Sequence, residues 1–365
     1  MKRILIFLLA VTLVLCGCGN SDTTQDTTTE ATTEATTEAT TEATTEATEP
    51  PVLYRHPLTG EALDAPFTGR ATAVVINNIK ACLPQFGISK ADMIYELEAE
   101  GGITRMLAIY TDFNEVGSIG PVRSARTYFS NISTSYDAVL IHCGGSGTAL
   151  NGQYDQTNKL ANWVHIDQAS NGSYFFRDKE RKSQGYATEH TLFTTGEDMI
   201  AALAAKKLNT TNENGTDYGL QFAEEVALTG EAANKITVTF RGKKTTTMTY
   251  NTATGLYEAS QYKQNHIDAG NGETMAYRNV LVLRAKQSLI SGGKYTRSYY
   301  DLIGEGEGYF AHGGQIVPIK WSRSSVTGQF SYTLADGTPI TLGVGTTYVG
   351  VIALSGSGSA AVAYE

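Results

Sequence analysis

Met93-Ile94-Tyr95-Glu96-Leu97-Glu98-Ala99-Glu100-Gly101-Gly102-Ile103-Thr104-Arg105 is the stretch on which the fold turns. Residues 93–100 alternate with period two, which is the pattern of a strand with Glu96, Glu98 and Glu100 on one face. Gly101-Gly102 reads as a two-residue hairpin loop, and Ile103 to Tyr110 return as the second strand. Counting out from that loop sets Glu100 opposite Ile103, Glu98 opposite Arg105 and Glu96 opposite Leu107. Three carboxylates and one guanidinium then share a face, with Glu98 and Arg105 as a cross-strand ion pair. A solvated face would make this pairing weak. A covered face would raise the pKa of Glu96 and Glu100 or bind a cation, and would make both acid/base candidates.

Outward from the hairpin, Ala71–Ile76 reads as a buried strand. Gly120-Pro121-Val122-Arg123-Ser124-Ala125-Arg126 reads as a helix start with proline near its first position. Ala138–His142 forms a short apolar strand that runs into Cys143-Gly144-Gly145-Ser146. A helix is expected over Gly196–Leu208, with Thr195 and Asp198 at capping-box spacing. After the polar, turn-rich stretch 208–219 the chain reads as β at Ile236–Phe240, Thr245–Asn251, Val280–Arg284, Gln315–Lys320, Phe330–Thr333 and Tyr348–Ala353. The expected class is α+β: an α+β domain over residues 51–212, then a smaller β-rich domain over 213–365.

The chain has 365 residues with 28 Lys+Arg against 37 Asp+Glu, and the excess is local. Residues 19–50 carry eight carboxylates and no base, so the remainder is nearly neutral. A nucleic-acid-binding surface lacks the basic excess it would need. A hydrophobic content of 41% excludes a wholly disordered chain. Lys2-Arg3 followed by the apolar run Ile4–Leu15 fits an export signal, too short to span a membrane. Leu15-Cys16-Gly17-Cys18 resembles a lipobox, which implies a signal peptide over 1–17 and diacylglycerol on Cys18. Residues 18–50, rich in Thr, Glu and Ala, cannot bury enough apolar area to order themselves and read as a linker. The expected location is the outer face of a bacterial cell membrane, with the lipid as the membrane contact.

Arg123 and Arg126 lie three apart in the expected first helical turn, where cations oppose the helix dipole unless an anion neighbours them. Either they pair with Glu96 and Glu100 or they hold a phosphate or carboxylate ligand. His142 leads into a glycine loop that, with Ser146, could present backbone N–H groups to an anion. Arg177, Arg181 and His190 add cations, although Asp178 and Glu180 between them make a solvated face the simpler reading. His266 and Asp268 are two apart; without a third ligand nearby a side-chain hydrogen bond is simpler than a metal pair. Hydrolase, zincin, P-loop and Cys-x-x-Cys signatures are absent, and neither cofactor nor metal is expected. Cys82 and Cys143 remain in the mature chain, as a disulfide or as two buried thiols.

Taken together, Val74-Val75-Ile76-Asn77-Asn78, Glu100-Gly101-Gly102-Ile103-Thr104-Arg105, Gly120-Pro121-Val122-Arg123-Ser124-Ala125-Arg126, His142-Cys143-Gly144-Gly145-Ser146, Gln264-x-His266-x-Asp268, Asn279-Val280-Leu281-Val282 and Trp321 resemble the YerB-type bacterial lipoproteins over about residues 55–353. The resemblance implies two fused domains outside the membrane and supplies no reaction. It makes the cysteines peculiar to this chain, which favours the disulfide. It also implies a Pro-His-Asn run where Thr188-Glu189-His190-Thr191 stands. Two functions compete. One is binding of an anionic envelope ligand or protein partner through Arg105, Arg123, Arg126, His142 and Ser146. The other is a hydrolase or transferase of envelope polymer with Glu96, Glu100 and His142 as acid/base groups.

Overall fold

Burial alternates along the strands around the hairpin so that each side chain joins one of two cores. In the computed structural model, which describes residues 54–145, 164–212, 218–290, 297–354 and 360–365, Val74, Ile76, Ile94, Met106 and Ala108 belong to one core. Ala73, Val75, Tyr95, Leu97 and Leu107 belong to the other. Strands β1 (Thr72–Asn78), β2 (Met93–Glu98) and β3 (Thr104–Tyr110) are buried at every position, because both faces of their sheet are covered. The signal peptide, Cys18, the linker and Ser146 lie outside the described residues.

Helix α1 (Thr127–Ser135) covers the second core with Tyr128, Phe129 and Ile132. Strands β4 (Val139–His142) and β5 (His165–Asp167) extend the sheet in parallel from β1. Helix α2 (Gly196–Ala205) covers the first core with Met199, Ala202 and Leu203. Thr195 caps it as expected, its Oγ1 accepting from Asp198 N at 3.0 Å. The same core is closed by a second sheet, in which β6 (Lys235–Thr239), β7 (Thr245–Asn251) and β8 (Leu256–Gln261) form an antiparallel meander.

The chain then returns to the first sheet through β9 (Asn279–Ile290), β10 (Gly304–His312), β11 (Gln315–Arg323) and β12 (Thr347–Ala353). The main order is β11-β10-β9-β12-β2-β3-β1-β4-β5 within a sheet of twelve strands among the described residues. Strand β12 lies parallel between β9 and β2, so the sheet runs unbroken from the second half of the chain into the first. Residues 52–365 form one compact unit in consequence. β9, β12, β2, β1, β4 and β5 all point the same way and end at one edge.

Two local expectations fail. The hairpin pairs Glu98 with Thr104, Leu97 with Arg105 and Glu96 with Met106, one residue out of the expected register. Gly101 and Gly102 both take positive φ, and Glu100 joins them in the loop. A one-residue shift moves Arg105 to the opposite face from Glu96 and Glu98. The second failure is the helix start at Gly120. Residues 120–126 instead lie along the end of β1, with Asn77 N donating to Pro121 O and Arg123 N to Val75 O, and α1 begins only at Thr127. Backbone groups engaged in these bonds cannot also wind a helix.

Candidate functional site

The two faces of the hairpin carry different chemistry. On the face toward the meander, Glu96 is wholly buried. Its Oε1 accepts from Asn78 Nδ2 at 2.8 Å, Thr104 Oγ1 at 2.6 Å and Lys244 Nζ. Its Oε2 accepts from Thr246 Oγ1 at 2.7 Å and Tyr348 OH at 2.8 Å. Burial works to raise its pKa, but the Lys244 ammonium and these donors outweigh it and hold the carboxyl below the usual range. Burial pulls Lys244 down in turn. Glu98 is spent in a similar way, accepting from Ser298 Oγ at 3.1 Å and Gly242 N at 3.2 Å. Gly242 packs directly on Gly102; a Cβ there would stand 2.1 Å from the Gly102 Cα, so only glycine permits the contact. Glu96 and Glu98 are therefore fastenings between the first sheet and the meander. The expected pairing of Glu96 with the arginines does not occur, nor does the Glu98–Arg105 pair.

The other face carries the arginines. The Glu100 carboxylate bridges Arg105 Nη2 at 2.5 Å and Arg126 Nη2 at 2.5 Å, and also accepts from Arg126 Nε at 3.1 Å. Ser124 O takes Arg105 Nη1 at 2.6 Å. Burial and the neighbouring Arg126 charge push Arg105 down to about 9. Burial alone would raise Glu100, yet Arg105 and Arg126 hold it below the ordinary carboxylate range. A carboxylate so held is a poor proton donor near neutrality, and the oxygens of both Glu96 and Glu100 are already engaged by their donors.

Arg123 differs from Arg105 and Arg126 in making no bond to Glu100 or to any other carboxylate among the described residues. Its Nη1 reaches Glu189 O at 3.5 Å, and its Nε is buried without a partner. Arg105 Nε and Asn77 Oδ1 are likewise buried and unpartnered. Asn77, at the end of β1, holds His190 through Nδ2 and Nδ1 at 3.0 Å. Burial lowers the His190 pKa. The strand end after β4 lies alongside, with Cys143 N donating to Arg123 O and Ala125 N to Gly144 O. His142 Nδ1 donates to Gly144 O at 2.7 Å, so its Nε2 accepts from His165 Nδ1 at 2.9 Å. Burial lowers both rings, His165 to about 4 with the help of His142. Asp167 Oδ1 anchors the loop by accepting from Gly144 N at 2.7 Å.

The carboxyl edge thus gathers Arg105, Arg123, Arg126, His142 and His190, with Asn77, Glu100, His165 and Asp167. This is where ligands sit in open sheets of parallel strands. Other expected residues stand apart. Arg177 is exposed and donates to Thr188 O at 2.6 Å. Arg181 is buried rather than solvated; it donates to Cys82 O at 2.7 Å and lies over Phe86, Tyr186 and Phe193. Trp321 is core, its Nε1 donating to Arg284 O at 3.0 Å. His266 Nε2 bonds Gln85 Oε1 at 2.9 Å, and Asp268 accepts from Gly87 N at 2.9 Å and Ser89 N at 2.8 Å, so both tie loops together. No metal-ligating cluster occurs among the described residues.

Cys82 and Cys143 are free thiols, so the expected disulfide is not formed. Cys82 is buried and pushed up to about 12, and Cys143 Sγ donates to Gln168 Oε1 at 3.4 Å. Asn77, His165, Asp167 and Lys244 were missed. The period-two pair in His165-Ile166-Asp167 was the available signal for two of them.

Comparison with known proteins finds two matching family models. One is the N-terminal domain of the protein of unknown function DUF3048 over residues 58–210, the other its C-terminal domain over residues 236–349. YerB of Bacillus subtilis (strain 168), assigned as a lipoprotein, is 28% identical over 323 residues, 81% of this chain and 88% of its own. The crystal structure of YerB from Bacillus subtilis matches with a TM-score of 0.69 at 25% identity, covering 85% of this chain and 99% of that one.

Proposed function

The chain belongs to the DUF3048 family of proteins of unknown function, and from that premise we propose that it is a lipid-anchored protein that holds an anionic ligand at the carboxyl edge of its sheet, with Arg123 as the anchor. The lipoprotein assignment of the YerB relative supports the anchor, and Cys18 is the acceptor that the sequence offers on the outer face of the membrane.

One observation carries the ligand reading. Arg105 and Arg126 share the carboxylate of Glu100, while Arg123 beside them has a buried Nε with no partner. A buried donor without an acceptor is costly, and an incoming phosphate or carboxylate oxygen would relieve it. Glu100 keeps two guanidiniums in place, and their surplus charge favours an anion at the third. A role in acid/base catalysis has less support, since Glu96 has every oxygen occupied on the far face and Glu100 is clamped as an anion.

The test is calorimetric titration of the full chain in detergent with inorganic phosphate and, separately, with succinate, both at fixed ionic strength. One of the two binds saturably, and Arg123→Ala weakens it by about tenfold or more, the worth of one charge-assisted hydrogen bond. Equal binding by Arg123→Ala would overturn the assignment.

A further inference from the structure

The network around Glu96 uses none of the edge arginines and holds a reactive set of its own. Lys244 is the one buried lysine among the described residues. It closes the turn between β6 and β7, where Phe240 N donates to Lys244 O at 2.9 Å. Its Nζ donates to Glu96 Oε1 and to Thr246 Oγ1, with the rings of Phe240 and Tyr262 centred 5.4 Å and 5.9 Å away. Asn78, at the end of β1 and wholly buried, donates from Nδ2 to the same Glu96 Oε1 at 2.8 Å. The ammonium and the side-chain amide therefore meet on one carboxylate oxygen.

An outside substrate cannot reach Glu96, but an amine and an amide that are already its hydrogen-bond partners can react with each other. Asn78 Oδ1 accepts from Gln85 Nε2 at 2.9 Å, a donor placed where negative charge would develop on the amide oxygen. Burial favours the neutral amine, the nucleophilic form, and pulls Lys244 below its ordinary value. The aromatic rings and the closed network exclude water that would compete for the amide carbon. We propose that Lys244 and Asn78 are joined by an isopeptide bond that the folded chain forms on itself, with Glu96 relaying the protons.

The step balances within the network. Lys244 passes a proton to Glu96 Oε1 and becomes a neutral amine. Asn78 Cγ lies one bond beyond the Nδ2 that shares this oxygen with Nζ. Rotation at the end of the lysine chain brings Nζ to an attack separation of about 3–3.5 Å. The Nζ lone pair forms the bond to Cγ while Gln85 holds the oxygen. The Glu96 proton then goes to Nδ2, the Cγ–Nδ2 bond breaks, and ammonia leaves. Glu96 takes a second proton from Nζ and ends as a neutral acid, so the loss of the lysine charge leaves no bare carboxylate in the core. The reaction runs once per chain, so a rare visit to the neutral pair suffices. Its product ties β1 of the first sheet covalently to the meander.

The full chain, purified in detergent and kept folded at neutral pH, is denatured, digested with trypsin and analysed by mass spectrometry. Residues 71–80 and 244–263 should appear as one linked pair, lighter than the two peptides together by one ammonia, about 17 Da. Lys244→Arg keeps the charge without a nucleophilic amine and should give no linked pair. Glu96→Gln should lower the yield of the pair at least tenfold. Unlinked peptides from the unaltered chain would overturn the proposal, whether or not either variant folds. So would a linked pair that persists in either variant, or an ammonia loss located instead at an Asn-Gly pair such as Asn271-Gly272, where succinimide forms without a lysine.

Discussion

Glu96 and Glu100 stand four residues apart, yet one closes a network and the other leaves one open. Around Glu96 five donors fill both carboxylate oxygens, and the cation among them, Lys244, comes from the meander. Around Glu100, two arginines take the carboxylate, while the third, Arg123, reaches no carboxylate and has a buried Nε with no acceptor, as Arg105 Nε also has. The difference follows from register. Glu96 faces the second sheet, while Arg105 faces α1 and meets the loop residue Glu100. A saturated charged network fastens two layers; an unsaturated one is a place for a ligand.

The largest effect should come from opening the saturated network. Lys244→Met leaves the Glu96 charge buried without its counter-ion and should cost about 3–5 kcal/mol in urea unfolding, with the doubly neutral Glu96→Gln/Lys244→Met recovering part of it. A double variant no better than the single one would show that charge is not what matters there. Glu100→Gln should cost less, about 2 kcal/mol, because the group is only partly buried. Phosphate should recover some of that loss by replacing the missing anion among the three arginines.

Acid tests the fastening from the side of His266, whose pKa burial depresses to about 3 from its usual 6.5. The unfolded chain takes up the proton first, so this contribution is complete above the unfolded pKa and is lost as pH falls toward the folded value. Between pH 7 and pH 5 the loss should be about 2 kcal/mol, and His266→Gln should flatten it. The smallest effect on stability belongs to Arg123→Ala, within about 0.5 kcal/mol, since its Nε gives up no bond on removal and its Nη1 only a long, exposed one to Glu189 O. A large loss there would make Arg123 a structural group and erase the contrast.

Much of the sheet was legible. Thr245–Asn251 is a strand with the bounds read from sequence, the strand begun at Gln315 runs three residues further, to Arg323, and the one expected over Tyr348–Ala353 starts one residue earlier, at Thr347. The Thr195 cap also followed from spacing. What period-two patterning cannot give is register at a glycine loop, since two or three loop residues fit the same alternation, and that one residue decided which face Arg105 took. Nor does local sequence tell that Lys244, 148 positions away, meets Glu96. The arginines were identifiable as a group that needs an anion; their partner Glu100 was half of the answer, and the orphaned Nε of Arg123 appears only in three dimensions.

The most direct test follows the arginine Nε–H resonances of the full chain, labelled with 15N at arginine, during titration with phosphate and with succinate at constant ionic strength. The Arg123 Nε–H should move saturably with one of them, with smaller shifts at Arg105 and Arg126 and none at Arg181. An unmoved Arg123 signal at saturating anion, or shifts confined to exposed arginines such as Arg177, would contradict the account.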